Sequence, residues 1–170
     1  YPNLGIVLQS CLYRTSHDIT KYLEEINYPF PKGEIGVRLC RGIYLEPKMR
    51  AYTPKKNAKQ QLVERAKELV EAGVYLEIAT HDEMIINQIY EEVLKQKNVP
   101  KERYEFQFLT GVYVAEDIII PKLLEKGERV RKYVPVELQS GVSLPYIKRR
   151  LVESDMLWSA TVDRVRRVFR

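Results

Sequence analysis

Tyr104-Glu105-Phe106-Gln107-Phe108-Leu109 alternates aromatic side chains with polar ones, and this pattern predicts a β-strand with two different faces. The two phenylalanines would pack beneath helices, whereas Glu105 and Gln107 would point to the opposite side of a sheet. Four other segments have a similar character, and strands are predicted at residues 4–11, 36–42, 74–80 and 130–136. We therefore expect five strands that share one apolar face and one polar face.

Helical patterns separate these strands. Apolar residues at helical spacing predict a helix capped by Thr15 or Ser16, a second at about 56–72, a third capped by Asp82 and a fourth at about 114–126 that is interrupted at Pro121. Strands that alternate with helices form βαβ units around a parallel sheet. A (β/α)8 barrel uses about 31 residues per unit, so 170 residues hold about five and a half units. That is too short for a closed barrel, and periodicity alone does not separate a partial TIM-type barrel from a doubly wound five-stranded sheet.

Polar side chains share one parity along the five strands. They are Gln9, Arg38, Glu77, His81, Glu105, Gln107, Arg131 and Tyr133, with Leu109 among them. Many lie toward the carboxyl ends of their strands, where α/β enzymes of both architectures build their sites. The pattern favours a polar pocket lining; the alternative is that the buried glutamine and arginine side chains only satisfy one another.

Composition narrows the classes of function. The chain is 45% hydrophobic and 30% charged, which is ordinary for a globular domain, and its excess of five positive charges is spread along the sequence, so no nucleic-acid role is expected. Cys11 and Cys40 have no metal-binding or disulfide spacing and are predicted to be buried free thiols in a reducing compartment. Neither a glycine-rich phosphate loop nor a GxSxG elbow occurs, and with His17 far from His81 we expect no metal site.

The segment 143–153, from Ser143 to Glu153, is predicted to form a helix with two faces. Helical spacing puts Tyr146, Arg149, Arg150 and Glu153 together on its polar face. Paired guanidinium groups can hold a carboxylate, and a glutamate one turn away can accept from an ammonium. Such a face suits an amino acid; the alternative is a solvated helix face with a basic end.

Six motifs in order resemble the proline dehydrogenase family over residues 1–154. They are Gly5-Ile-Val-Leu-Gln9, Val37-Arg-Leu-Cys-Arg-Gly-Ile-Tyr44 with Glu46, Ala79-Thr-His-Asp82, Glu105-Phe-Gln-Phe-Leu-Thr-Gly111, Tyr133-Val-Pro135 and Tyr146-Ile-Lys-Arg-Arg-Leu-Val-Glu153. The resemblance implies an FAD-dependent (β/α)8 barrel that oxidises L-proline to pyrroline-5-carboxylate and passes the electrons to a membrane quinone. It also implies a cytoplasmic location with peripheral contact to the inner membrane.

The resemblance assigns roles to individual residues. The flavin would be lined by Gln9, Arg38 and His81, with a further contribution from Arg14. The proline carboxylate would be held by Arg149 and Arg150, and Glu153 would lie near the amine. The walls around the proline ring would be Tyr44, Leu109, Tyr133 and Tyr146. Two positions depart from the family: Arg41 replaces a usual lysine, and Ile43 replaces a usual alanine beside Tyr44. The latter change implies an altered fit for the substrate.

The match begins at the fourth strand of the family's barrel. Residues 1–170 are accordingly expected to be a single domain comprising strands 4–8 and the final helix, without the first three strands and the lysine and aspartate that they supply. Little activity is expected from such a fragment alone. Two alternatives are a non-catalytic module that binds anions or nucleic acid through Arg149 and Arg150, and a phosphate-binding α/β enzyme that uses the helix after His81. The structure of residues 155–170 is left open.

Overall fold

The computed structural model describes residues 5–26, 35–42, 46–53, 55–136, 141 and 143–145. Five parallel strands form one sheet in the order β1-β2-β3-β4-β5. The strands are β1 (Gly5–Gln9), β2 (Gly36–Cys40), β3 (Tyr75–Ala79), β4 (Tyr104–Leu109) and β5 (Val130–Tyr133). Each strand pairs with its successor in the chain, which is the order of a barrel, whereas a doubly wound sheet must reverse its order at one point. The structure thus favours the barrel over that alternative.

Helical segments connect the strands. They are α1 (Thr15–Ile26), α2 (Lys55–Ala72), α3 (Glu83–Ile89), which continues as a π-helical turn over Tyr90–Lys95, a short 3₁₀ turn at Lys101–Arg103, a π-helical segment at Val114–Ile119 and α4 (Ile120–Glu125). Asp82 caps α3 as predicted, because its carboxylate accepts a hydrogen bond from the backbone N–H of Ile85 at 3.4 Å. Among the described residues, none of these helices combines the length and apolar character needed to cross a lipid bilayer.

Three predicted boundaries were wrong. Pro121 does not interrupt the fourth helix, because it lies in the first turn of α4, where a missing N–H is tolerated. The fifth strand ends at Tyr133 and not at residue 136, since Pro135 has no N–H to offer a ladder. Thr15 is the first residue of α1 and does not precede it as a cap; its hydroxyl donates to the backbone oxygen of Gln9 at 2.6 Å.

The core lies between the sheet and its helices. Side chains that alternate along β2, β3 and β4 are almost completely buried: Val37, Leu39, Leu76, Ile78, Phe106 and Phe108. Residues of α2 and α3 pack in the same cluster, among them Leu62, Ala66, Leu69, Ile86 and Ile89. Because full burial of such an apolar side chain contributes about 1.5–3 kcal/mol, this layer holds the strands in place. The predicted division into one apolar and one polar face is confirmed.

Contacts divide the chain into one compact unit of residues 1–42 and 46–133 and a second unit of residues 43–45 and 134–170. The five strands and four α-helices belong to the first unit. The polar face of the sheet is therefore defined by residues of that unit alone.

Candidate active site

Strand register stacks the polar side chains in layers on the face of the sheet opposite the helices. Arg38, Glu77 and Glu105 occupy neighbouring positions of β2, β3 and β4. One layer nearer the carboxyl ends, Gln107 lies beside Arg131, and Leu109 and Tyr133 are paired in the layer above. This face of β1 to β5, with the described residues of the first unit at the carboxyl ends of the strands, is named the polar face.

Gln107 is the centre of the polar face. It is 0% exposed, and its amide nitrogen donates to Glu77 Oε2 at 2.6 Å and to Glu105 Oε1 at 2.6 Å. Its amide oxygen accepts from Nε of Arg38 at 2.5 Å. A single buried amide thus connects side chains from β2, β3 and β4.

Glu105 anchors the other end of this network. Arg131 binds it with two nitrogens, Nε at 2.7 Å from Oε1 and Nη2 at 3.0 Å from Oε2. The hydroxyl of Tyr75 donates to Oε2 at 3.0 Å. Below the carboxyl ends of the strands, these bonds show that the buried glutamine and arginine side chains do satisfy one another, as the alternative to a pocket lining predicted. The hydrogen bond to Glu105 also raises the pKa of the Arg131 guanidinium.

Arg38 extends out of this network toward the carboxyl ends of the strands. Its guanidinium carbon lies 5.1 Å from the centre of the Tyr133 ring, although Tyr133 is in a layer closer to those ends. Glu77 lies 3.7 Å from Nε, and 35% of the Arg38 side chain is exposed. The structure therefore brings Arg38 and Tyr133, both predicted site residues, into contact, with the cation placed against an aromatic face.

Gln9 ends β1 beside a tight backbone position. Its side-chain oxygen is buried and, among the described residues, accepts no hydrogen bond. Gly42 follows β2 with φ of +97°, and a Cβ added there would lie 2.7 Å from that oxygen and 2.5 Å from Sγ of Cys11. Glycine is thus required at residue 42 both by its backbone conformation and by the space that Gln9 occupies.

Gly42→Ala is expected to destabilise the loop after β2 and to displace Gln9. A left-handed conformation costs a residue with a Cβ about 1–2 kcal/mol, and the close contacts add to this. Urea unfolding should show the loss. The matched control is Gly111→Ala, where φ is +88° but no atom lies within 4 Å of the added Cβ. Equal losses in the two variants would contradict a specific contact between Gly42 and Gln9.

His81 joins the end of β3 to the end of β4. Its Nε2 accepts a hydrogen bond from the backbone N–H of Leu109 at 3.0 Å, and its ring meets that of Phe108 edge-on at 5.9 Å. Two predicted site residues, one assigned to the flavin and one to the substrate wall, are therefore directly connected. Since an accepting Nε2 carries no proton, Nδ1 holds the proton when the ring is neutral.

The helix after His81 is poorly suited to phosphate. The Asp82 carboxylate occupies the N-terminus of α3 and forms an ion pair with Lys59 at 2.5 Å. An anion approaching this helix end would meet a carboxylate that is already in place. The structure therefore does not favour the phosphate-binding alternative.

Other predicted residues lie outside the network. Arg14 is exposed and pairs with Asp18 one turn along α1, through bonds of 2.7 and 3.0 Å.

Both cysteines are free. Cys11 is buried as predicted, whereas Cys40 is only partly buried. Burial raises the pKa of the Cys11 thiol. Five predicted site residues lie outside the described part of the chain: Tyr44, Tyr146, Arg149, Arg150 and Glu153.

Sequence reasoning missed two contributors to the polar face. Tyr75 is the first residue of β3, and its hydroxyl donates a hydrogen bond to Glu105. Its position two residues before Glu77 predicts that both side chains lie on the same face of the sheet, so the sequence did contain a signal for it. Gly36 lies opposite in β2, where an added Cβ would come within 2.6 Å of Glu77 Oε1. The missing side chain of Gly36 thus leaves room for the Glu77 carboxylate.

Alkaline pH is expected to remove the contribution of Tyr75 to stability. Burial, followed by the hydrogen bond to Glu105, raises the pKa of Tyr75 to about 12 from a usual value of about 10. Between these values the unfolded chain releases the proton while the folded chain retains it, so stability falls as pH rises from about 10 to about 12. Below pH 10 the contribution is fully present.

Urea unfolding of the wild type and of Tyr75→Phe tests this expectation. At neutral pH the variant should be less stable by about 1 kcal/mol, the usual net value of such a hydrogen bond, and the difference should vanish as the medium becomes strongly alkaline. A difference that stays constant over the whole range would show that the Tyr75 proton is not held by the fold.

A parallel α/β sheet in sequential order, with polar groups on the face opposite the helices, defines the class of (β/α)-barrel proteins. The chain belongs to the proline dehydrogenase family, since the family model described as proline dehydrogenase matches residues 1–161. The resemblance seen in the six motifs is thereby confirmed.

Curated relatives agree with this assignment. Proline dehydrogenase of Deinococcus radiodurans is 32% identical over 152 residues, which cover 89% of this chain and 44% of that protein. Proline dehydrogenase 2 of Bacillus subtilis is 30% identical over 154 residues, 90% of this chain and 46% of that protein. The chain thus spans a little under half the length of these relatives.

Solved structures share the fold. Proline utilization A from Bdellovibrio bacteriovorus, inactivated by N-propargylglycine, superposes with a TM-score of 0.73 at 26% identity over 90% of this chain and 16% of that one. Proline utilization A from Bradyrhizobium japonicum gives 0.74 at 23% identity over 90% of this chain and 16% of that chain, and supports the fold alone. The expected barrel-type fold is confirmed.

Proposed function

We propose that the full-length protein carrying this chain oxidises L-proline to pyrroline-5-carboxylate with FAD as cofactor. The observation that carries this proposal is the Arg38 guanidinium, which lies against Tyr133 at the carboxyl end of a sheet whose family is proline dehydrogenase. A fixed cation at this end of the strands suits a reaction in which negative charge develops on an electron acceptor.

The polar face fits FAD in three respects. Arg38 supplies a cation, Gln9 supplies a buried oxygen that accepts no hydrogen bond from any described residue, and Gly42 allows the Gln9 side chain its position, since an added Cβ would lie 2.7 Å from that oxygen. A flavin ring presents both N–H donors and electron-poor nitrogens to such groups. When bound, FAD would supply the two-electron acceptor that the oxidation of an amine requires. On this proposal His81 also lines the cofactor, and Arg14 contributes near its periphery.

On this proposal, substrate recognition depends on the side chains that the resemblance assigns to the substrate. Arg149 and Arg150 hold the proline carboxylate through paired hydrogen bonds, and Glu153 lies near the amine. Leu109, Tyr133, Tyr44 and Tyr146 wall the ring, so that the carbon to be oxidised is kept in one orientation. The contact between His81 and Leu109 supports this division, because it joins the cofactor-facing group to the substrate wall.

On this proposal the remaining protein supplies the rest of the site. Relatives more than twice as long as the matched segment have room for three further strands, and a lysine and an aspartate at the ends of those strands would complete the polar lining. The electrons pass to a quinone at a membrane surface, which implies a cytoplasmic protein in peripheral contact with the inner membrane. The 170-residue chain alone has little activity.

Product analysis with discriminating amino acids tests the proposed function. The full-length protein, supplied with FAD and a soluble electron acceptor, is incubated with L-proline, D-proline or L-alanine, and pyrroline-5-carboxylate is trapped with o-aminobenzaldehyde. Product from L-proline alone, and time-dependent inactivation by N-propargylglycine, are expected. A correctly folded protein that yields no trapped product would contradict the proposal, and salt-sensitive binding of nucleic acid by that inactive protein would favour the binding module.

A further inference from the structure

We infer that Gln107 is a positioning residue, which holds the Arg38 guanidinium toward the carboxyl ends of the strands and away from Glu77. The inference deepens the proposed function and rests on it, because it concerns the orientation of the cation that would face the cofactor. Gln107 itself is completely buried and touches neither substrate nor cofactor in this role.

Chemistry fixes the orientation of the Gln107 amide. Ionised carboxylates only accept hydrogen bonds, so the two atoms within 2.6 Å, Glu77 Oε2 and Glu105 Oε1, require a donating nitrogen. The Nε of Arg38 only donates, so the atom 2.5 Å from it must be the amide oxygen. A rotation of the amide by half a turn would set donor against donor and acceptor against acceptor. The side chain therefore has one allowed arrangement.

Glu105 holds this arrangement from below. Its carboxylate receives three hydrogen bonds, one each from Arg131, Tyr75 and Gln107, and Nε of Arg131 forms an ion pair with it at 2.7 Å. These contacts engage both oxygens of the carboxylate. A buried carboxylate bound in this way cannot move without leaving several donors unsatisfied. Gln107 is consequently fixed on a rigid support that extends to β5.

Two groups compete for Arg38. The Gln107 oxygen takes the Nε hydrogen at 2.5 Å, whereas the Glu77 carboxylate lies 3.7 Å from Nε and attracts the guanidinium by charge. The Gln107 nitrogen also occupies Glu77 Oε2, which keeps that oxygen from forming a closer ion pair. Gln107 therefore has two effects. It holds the Arg38 guanidinium toward the carboxyl ends of the strands, and it restrains the Glu77 carboxylate, which attracts Arg38 in the opposite direction.

Apart from the hydrogen bond to Gln107, the guanidinium of Arg38 makes only weak contacts with the described residues at the carboxyl ends of the strands. Tyr133 contributes a ring face at 5.1 Å, and no described residue accepts a hydrogen bond from Nη1 or Nη2. A ring face does not define the plane of a guanidinium as a short hydrogen bond does. Among the contacts with described residues, the Gln107 oxygen is thus the one that most closely defines where Nη1 and Nη2 point.

Gln107→Met tests this role, because methionine has a similar length but offers no amide to Arg38 or Glu77. In the full-length flavin-loaded protein, kcat/KM for proline should fall by about 10- to 100-fold, as is usual when a supporting contact is lost. The flavin midpoint potential should shift in the same direction as in Arg38→Met. The double variant should equal Arg38→Met alone, since a positioning residue has nothing left to position. Independent, additive effects would overturn the inference.

Glu77→Gln provides a rescue. If Arg38 collapses onto Glu77 when the amide is lost, removal of the Glu77 charge in the Gln107→Met background should restore part of the lost kcat/KM. A purely structural role for Gln107 predicts a further loss in that double variant, because a second buried partner has been changed. That further loss would contradict the inference.

Nuclear magnetic resonance of arginine side chains gives a readout that needs neither flavin nor proline. The Nε–H of Arg38 should exchange slowly with water in the wild-type full-length protein, compared with that of the exposed Arg50, and should exchange rapidly in Gln107→Met. Equal exchange of Arg38 and Arg50 in the wild type would overturn the inference even where the variant does not fold. Slow exchange in a protein that does not oxidise proline would instead refute only the proposed function.

Discussion

Replacement of Arg38 by methionine is expected to reduce proline-dependent flavin reduction by about 100- to 1,000-fold, the usual cost of removing one preorganised donor from a site of charge development. Arg38 is held toward the carboxyl ends of the strands, with its Nε 2.5 Å from Gln107 and its guanidinium against Tyr133, and the proposed function places the cofactor at these ends. Methionine keeps the aliphatic stem and removes the charge. Single-turnover kinetics of the full-length protein measures the effect.

Two further variants make this measurement specific. Arg38→Lys retains a positive charge but cannot reproduce the guanidinium geometry, so a partial loss is expected. Arg50→Met removes a cation from the exposed loop after β2 and should leave the rate unchanged. A normal rate in Arg38→Met would show that the polar face does not act on the reacting groups.

Replacement of Phe106 by alanine is expected to cost about 3–5 kcal/mol in the free energy of unfolding. Phe106 is 0% exposed in the middle of β4 and meets the ring of Tyr104 edge-on at 5.9 Å. Its removal leaves a cavity between the central strands and the helices, where close packing prevents collapse. Such a loss is a large fraction of the total stability of a typical domain, about 5–15 kcal/mol.

Urea unfolding compares this variant with a matched surface change. Met84→Ala also shortens a large apolar side chain, but Met84 is 81% exposed on α3, so its free energy of unfolding should change by less than about 0.5 kcal/mol. A small effect of Phe106→Ala would mean that the apolar face of β4 is not part of the core.

Local alternation was sufficient to predict the sheet. Phe106 and Phe108 fall on the apolar face and Gln107 on the polar face because the side-chain period of a strand is two, whatever the surrounding fold. The parallel arrangement also followed, since a helix lies between successive strands. Strand order did not follow from periodicity, because barrel and doubly wound sheets use the same βα units; the paired register of the five strands distinguishes them.

Predicted boundaries of helices and strands were wrong where the effect of a proline depends on its position within the element. Pro121 was predicted to interrupt a helix, yet it is tolerated because it falls in the first turn of α4, after the π-helical segment Val114–Ile119. Pro135 has the opposite effect, and the strand that was expected to continue past Tyr133 ends there. The residue type was visible in both cases, but its position within the element was not.

The polar face was predicted as a set of residues but not as a network. Parity places Arg38, Gln107 and Arg131 on one face, but their distances depend on how three strands are aligned. Gln107 and Arg38 are 69 residues apart in the chain, so their 2.5 Å hydrogen bond has no local sequence signal. The same limit applies to the bond between His81 and the backbone of Leu109. Such contacts require the register as well as the pattern.

Anaerobic addition of L-proline to the purified full-length protein tests the central claim most directly. The protein is expected to carry oxidised flavin, whose visible absorbance should bleach on addition of L-proline and return on addition of a quinone. L-Alanine serves as the control and should leave the absorbance unchanged. A folded protein that carries flavin but keeps its oxidised spectrum in the presence of excess L-proline would contradict the account.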